Sequence, residues 1–167
     1  QEIGYPLVLK PVDLASSAFV KLIQTSNDLQ QAYRDLENFP LNFRDQERER
    51  AFLIEEYICG EEVSVETVSN NGEITVVGIT DKSVTGSPYF IENGHMFPAK
   101  LDEDVKEEIG DYVRNVLLAT GYDHGIAHTE IKLTKDGPKV VEINPRTAGN
   151  YIVELIEYVT GVNMLKA

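Results

Sequence analysis

Cysteine is nearly absent: Cys59 is the single one in 167 residues, so no internal disulfide can form and the fold must rest on its core. A lone thiol suits a reducing, cytoplasmic setting. Positive charge is also scarce, with 15 Lys and Arg against 28 Asp and Glu, a net charge of −13. Nucleic acid and anionic membrane surfaces are recognised through a basic footprint, so neither is expected as a partner. A small anion is not excluded, because it needs only a local cluster of cations. No apolar run approaches the length that crosses a bilayer, and no signal-peptide pattern is visible. Repeats, low-complexity segments and any arrangement suggesting an activated side-chain nucleophile are missing too. What is present is 42% hydrophobic and 26% charged residues, an ordinary globular domain with enough chain for a core. Gln1 opens just before an apolar strand and Lys166-Ala167 follows directly on a helix, which leads us to expect a fragment of a longer chain.

The most informative stretch is His128 to Asn150. Residues 126–134 and 139–144 alternate, and Asp136-Gly137-Pro138 between them reads as the turn of a hairpin. Alternation puts Ile126, His128, Glu130 and Lys132 on one face of the first strand, and Val140, Glu142 and Asn144 on one face of the second. Pairing then brings Glu130 close to Glu142, with Asn144 just beyond. Two carboxylates and an amide oxygen facing each other repel unless a cation sits among them, and hard oxygen ligands of this kind suit Mg²⁺. Arg146 stands one alternation further, where a planar cation can hold a transferring phosphoryl group. The plain alternative is a solvated polar face.

Glu130 followed by Glu142-Ile143-Asn144-Pro145-Arg146 resembles the metal and phosphate motif of the ATP-grasp superfamily. The longer string His-Thr-Glu-Ile-Lys-Leu-Thr (residues 128–134) is most similar to its L-amino acid ligase branch. The resemblance covers essentially the whole chain and implies an α+β fold, an antiparallel sheet with helices packed on one face. It implies one ATP-binding domain over residues 1–167, with 1–60 clamping the nucleotide and 61–167 supplying the metal, phosphate and substrate contacts. It implies ATP with Mg²⁺ or Mn²⁺, small carboxylate and amine substrates, an N-terminal domain beyond this stretch, and leaves a homodimer open.

Residue by residue, Gly4-Tyr5-Pro6 through Lys10-Pro11 is similar to a family strand whose lysine contacts the α-phosphate and the adenine edge. Residues 13–18 fall where the family has a glycine-rich phosphate loop. This chain has no glycine there, so Ser16 and Ser17 are expected to bring their hydroxyls beside the backbone amides. Residues 51–58 resemble the hinge against which adenine lies, with Glu55 facing the amino group, the Tyr57–Ile58 backbone bonding the base edge and Glu62 taking the ribose hydroxyls. Lys82 matches the lysine that reaches the γ-phosphate. Residues 86–100 read as a long loop with three aromatics, in which Glu92 and His95 resemble groups that hold a substrate's amino group or carboxylate.

The remaining pattern is scaffold. Ser26-Asn27-Asp28 caps a helix over 29–38, and residues 62–69 and 73–80 form a hairpin about Asn70-Asn71-Gly72. Helices are expected over 102–119 and 151–159. The metal and arginine motifs imply a ligase making an acylphosphate. Two other readings are a bicarbonate-activating carboxylase or carbamoyl-phosphate type, and a non-catalytic nucleotide sensor. The aromatic segment with Glu92 and His95 favours an organic acid, and a sensor has little need of Arg146.

Overall fold

The computed structural model describes residues 3–86 and 90–167. Along the chain run β1 (Leu7–Pro11), β2 (Lys21–Ile23), α1 (Ser26–Glu37), β3 (Phe52–Glu56), β4 (Glu61–Asn70) and β5 (Glu73–Val84). Then come β6 (Glu92–Met96), α2 (Glu103–Ala119), β7 (Gly125–Thr134), β8 (Gly137–Asn144) and α3 (Ile152–Thr160). The chain divides into two compact units. Gln1–Tyr57 with Val84–Asn93 forms one, and Ile58–Ser83 with Gly94–Ala167 the other.

The first unit is built on the three-stranded sheet β2-β1-β3, antiparallel throughout. Leu7, Leu9 and Ile23 meet Ala32 and Leu36 of α1 in a small core, with Phe19, Leu29 and Phe52 packed against it. The cap of α1 is Thr25, one residue before the expected cluster. Its hydroxyl accepts from the Asp28 amide while the Asp28 carboxylate accepts from the Thr25 amide, a reciprocal box that settles two of the orphan donors at the helix start.

The second unit carries the five-stranded sheet β6-β5-β4-β7-β8. The β4–β5 hairpin turns on Asn71 and Gly72, both at positive φ (51° and 79°), which is the geometry a two-residue primed turn demands. Val63, Val65, Ile79, Ala127 and Ile131 cover one sheet face and meet Ile109, Val113 and Leu117 of α2. Those α2 residues recur at the spacing of one helical stripe. The opposite face splits in two. At one end Val68, Val77 and Ile126 pack with Ile152 and Ile156 of α3. Thus α2 and α3 lie against opposite faces, and α3 leaves the rest of its face to polar side chains.

Three local expectations change. The β7–β8 turn is Lys135–Asp136, with Gly137 and Pro138 already paired in β8. A bulge at Val141 shifts the register between Glu130↔Glu142 and Ile131↔Val140. Val140 therefore joins the core beside α2 instead of sharing a face with Glu142 and Asn144. Residues 86–100 are not one loop, because β6 occupies their centre; Ser87, Pro88 and Tyr89 lie outside the described residues.

Candidate functional site

The polar face is assembled from four strands of the second unit. On β4 the residues Glu62, Ser64 and Glu66 alternate with the core-facing Val63 and Val65. Their cross-strand partners are Lys82, Thr80 and Gly78 on β5 and Lys132, Glu130 and His128 on β7. Continuing outward, Glu142 pairs with Glu130 and Asn144 with His128. Cross-strand partners have Cβ atoms roughly 4.5–5.5 Å apart, so opposite charges in this grid are within reach.

They pair in an alternating lattice. Lys82 Nζ lies 3.0 Å from Glu62 Oε1 and 2.9 Å from Glu130 Oε1, with a side chain only 1% exposed. The second Glu62 oxygen, Oε2, takes Lys132 Nζ at 3.0 Å. His128 spans two acids, Nδ1 at 2.6 Å from Glu66 Oε1 and Nε2 at 3.4 Å from Glu130 Oε1. Glu66 is buried, and the Ser64 hydroxyl donates to the same Oε1. Burial by itself lowers the His128 pKa, but its hydrogen bonds to Glu130 and Glu66 and their charges outweigh that and raise it to about 9. Burial likewise pushes Glu130 up. The hydrogen bond from His128 and the neighbouring Lys82 ammonium win, bringing it down to about 2. Glu130 is thus ionised at neutral pH.

The group implied by the motif is a hard divalent cation, and the donor set fits it. Glu130 and Glu142 face each other across the β7–β8 ladder, Asn144 is two residues along, and all three offer oxygen. Asn144 Nδ2 is buried without a hydrogen-bond partner among the described residues, so this amide is not tied down by the fold. Among those residues no group of three His, Cys, Asp or Glu side chains gathers as a metal cage. Two carboxylates and an amide leave coordination positions for phosphate and water, which is how Mg²⁺ is usually held.

Arg146 follows β8 and is exposed, its guanidinium donating to the Thr147 carbonyl. His95 lies on β6. Because a Cβ on Gly94 would rest 3.7 Å from that of Ser83, and the Phe97 ring covers Gly78, alternation puts His95 on the sheet face that carries Thr80 and Lys82. Glu92 is the first residue of β6 and belongs to the first unit. Gly60 lies so close to β7 that a Cβ would come within 2.2 Å of the Leu133 carbonyl oxygen, so only glycine permits this approach to Glu61 and Glu62.

In the first unit, Lys10 and Glu55 are brought together. Val8↔Glu55 and Lys10↔Leu53 lie two residues apart on the β1–β3 ladder, which puts Lys10 and Glu55 on one face, and Lys10 Nζ reaches Glu55 Oε2 at 2.6 Å. Tyr57 packs its ring on Phe90, with centroids 6.2 Å apart, and Ile58 begins the second unit. Ser16 and Ser17 adopt φ of 55° and 56°, a left-handed backbone that glycine would take without strain. The Ala18 and Val20 amides there are spent on turns, to the carbonyls of Ala15 and Ser17.

The sequence pattern placed His128 and Lys132 on the face of Glu130 but gave them no role, and Ser64 and Glu66 were read only as part of a hairpin strand. The available signal was strict alternation on both strands, which puts every one of them beside a named acid.

A family model described as ATP-grasp domain matches residues 3–154. Alanine–anticapsin ligase of Bacillus amyloliquefaciens is 32% identical over an alignment of 180 residues, which takes in 98% of this chain and 38% of that protein. Carnosine synthase 1 of Gallus gallus is 32% identical over 117 residues, 70% of this chain and 13% of that one. Among solved structures, the L-amino acid ligase from Bacillus licheniformis superposes with a TM-score of 0.80 at 29% identity, over 99% of this chain and 38% of that one. The chain therefore spans less than two-fifths of the length of these relatives.

Proposed function

The chain belongs to the ATP-grasp domain family, and on that premise we propose that it serves as the ATP-binding domain of a magnesium-dependent ligase joining a small carboxylate to an amine. The observation that carries this reading is the Glu130–Glu142 pair with Asn144 two residues on and Lys82 beside Glu130. The relatives whose names describe carboxylate–amine chemistry favour an organic acid over bicarbonate.

In this mechanism the substrate carboxylate attacks the γ-phosphorus of ATP, ADP leaves, and an acylphosphate forms. The amine then attacks the acyl carbon and phosphate departs. Glu130, Glu142 and Asn144 would hold Mg²⁺, which when bound supplies neutralisation of the phosphate oxygens. Lys82 balances γ-phosphate charge, and Arg146 offers a planar pair of donors to the transferring group. Lys10, Glu55, the Tyr57–Ile58 backbone, Ser16, Ser17 and Glu62 receive the nucleotide, and Glu92 and His95 face the substrate. No side chain becomes covalently modified; the chain positions its reactants and stabilises charge. A cytoplasmic setting is part of the proposal, supported by the one free cysteine.

The test is ADP and phosphate release over a panel of carboxylic acids and amines, with hydroxylamine added to trap the acylphosphate as a hydroxamate. Acid-dependent hydroxamate with ADP supports the reading, whereas AMP with pyrophosphate overturns it. Arg146→Lys keeps the charge but loses the planar fork. Turnover is expected to fall roughly 10²-fold, with ATP affinity nearly unchanged. An equal loss in both would make Arg146 a ground-state phosphate ligand.

A further inference from the structure

Lys82 occupies an unusual position for a residue that must meet a phosphate. Its side chain is 1% exposed, and its ammonium sits between Glu62 Oε1 at 3.0 Å and Glu130 Oε1 at 2.9 Å. Glu130 is one of the two carboxylates facing each other across β7–β8. A divalent cation bound to Glu130 would lie roughly 2.0–2.1 Å from a carboxylate oxygen. The ammonium and the metal would then be only a few ångströms apart, in surroundings where repulsion is several-fold stronger than in water. Giving up Glu130 would leave this buried ammonium sharing Glu62 with Lys132, two cations on one carboxylate, so a second anion favours the exchange when the metal arrives.

We propose that Lys82 competes with the divalent cation for Glu130, so that metal and triphosphate load together: the ammonium yields the carboxylate only when a phosphate oxygen receives it. This rests on the reading that Glu130, Glu142 and Asn144 hold the metal. The second lysine makes the exchange feasible. Lys132 Nζ sits 3.0 Å from Glu62 Oε2, so Glu62 keeps a counter-charge when Lys82 moves. His128, at 3.4 Å from Glu130 Oε1, likewise keeps Glu130 from standing alone. The device makes the carboxylate pair a weak site for a metal by itself and a strong one for a metal carrying a nucleotide. It is a coupling free energy between two ligands, set by one side chain.

The experiment measures Mn²⁺ binding by the 167-residue protein, from the paramagnetic signal of free Mn²⁺, with and without the β,γ-imido analogue of ATP. In wild type, Mn²⁺ alone is expected to bind weakly and the analogue to tighten it strongly. Lys82→Met and Lys82→Gln are each expected to tighten Mn²⁺ alone by about tenfold and to lose most of the enhancement by the analogue. Lys82→Arg, which keeps a cation beside Glu130, should bind Mn²⁺ alone as weakly as wild type. Lys132→Met, which touches only the far oxygen of Glu62, should leave Mn²⁺ alone unchanged. Unaltered or weaker Mn²⁺ binding in the Met and Gln variants overturns the proposal, and so does equal tightening in Lys82→Arg or Lys132→Met. Glu142→Gln separates the two readings. If it leaves Mn²⁺ binding intact, the metal assignment fails; if it abolishes binding while the Lys82 variants change nothing, only the competition fails.

Discussion

Glu142→Gln is expected to weaken Mg²⁺-dependent nucleotide binding by roughly a hundredfold or more, since loss of even an outer-shell partner of a metal ligand costs about 10–100-fold. The substitution is isosteric and falls on an exposed side chain of β8, so the strand pairing that defines the site is retained. What changes is the charge facing Glu130. With one carboxylate and two amides the site offers the metal a single negative charge, and hard cations depend on carboxylate charge for affinity. Removing a like charge opposite Glu130 also relieves repulsion, so thermal stability should be equal or slightly higher. Calorimetric titration of ADP with and without Mg²⁺, beside an unfolding curve, checks both halves. A variant that binds Mg²⁺-nucleotide as wild type would remove Glu142 from the site. A variant that unfolds would recast it as a structural residue.

The second large effect lies deeper. Glu66→Gln is expected to destabilise the fold by about 3–5 kcal/mol, the usual cost of removing one partner from a buried charge pair. Glu66 and His128 have side chains 1% and 6% exposed, and their atoms meet at 2.6 Å. The loss should depend on pH. His128 titrates at about 9 in the fold against an ordinary 6.5, so its contribution is complete below 6.5 and disappears as pH rises through 9. Glu130 acts in reverse: it titrates at about 2 against 4.5, so its contribution is complete above 4.5 and disappears as pH falls through 2. Wild-type stability should be greatest between about 4.5 and 6.5 and decline on either side. Glu66→Gln should flatten the alkaline decline, because His128 loses a charge that holds its proton, and leave most of the acid decline. Urea unfolding from pH 2 to 10 measures both limbs. An alkaline limb of wild-type steepness in the variant would place its origin elsewhere.

The hairpin at the heart of the site was legible because it obeys period-two alternation, and a carboxylate pair with an amide and arginine follows from counting residues along two strands. Counting failed at Val141. A bulge inserts one residue without any compositional mark, so Val140 turned to the core while Glu142 stayed on the polar face. The β6 strand was hidden for a different reason. Glu-Asn-Gly-His-Met has little strand propensity, and its strand character comes from pairing on the edge of β5. The lattice of Glu62, Lys82, Glu130, Lys132, Glu66 and His128 was half visible: alternation gave His128, Glu130 and Lys132 one shared face. Which ammonium meets which carboxylate depends on the register of three strands distant in sequence. The Lys10–Glu55 pair had the same obstacle, since β1 and β3 are joined through some forty intervening residues.

The central claim is that the β7–β8 face holds a divalent cation together with the phosphates of ATP. Its most direct test is a crystal of the protein grown with Mn²⁺ and the β,γ-imido analogue of ATP, with the metal located by anomalous scattering. The account predicts an anomalous peak bonded to oxygens of Glu130 and Glu142, with Asn144 and phosphate oxygens completing its shell and Lys82 moved from Glu130 to the γ-phosphate. A bound nucleotide whose metal lies away from Glu130 and Glu142 would contradict it.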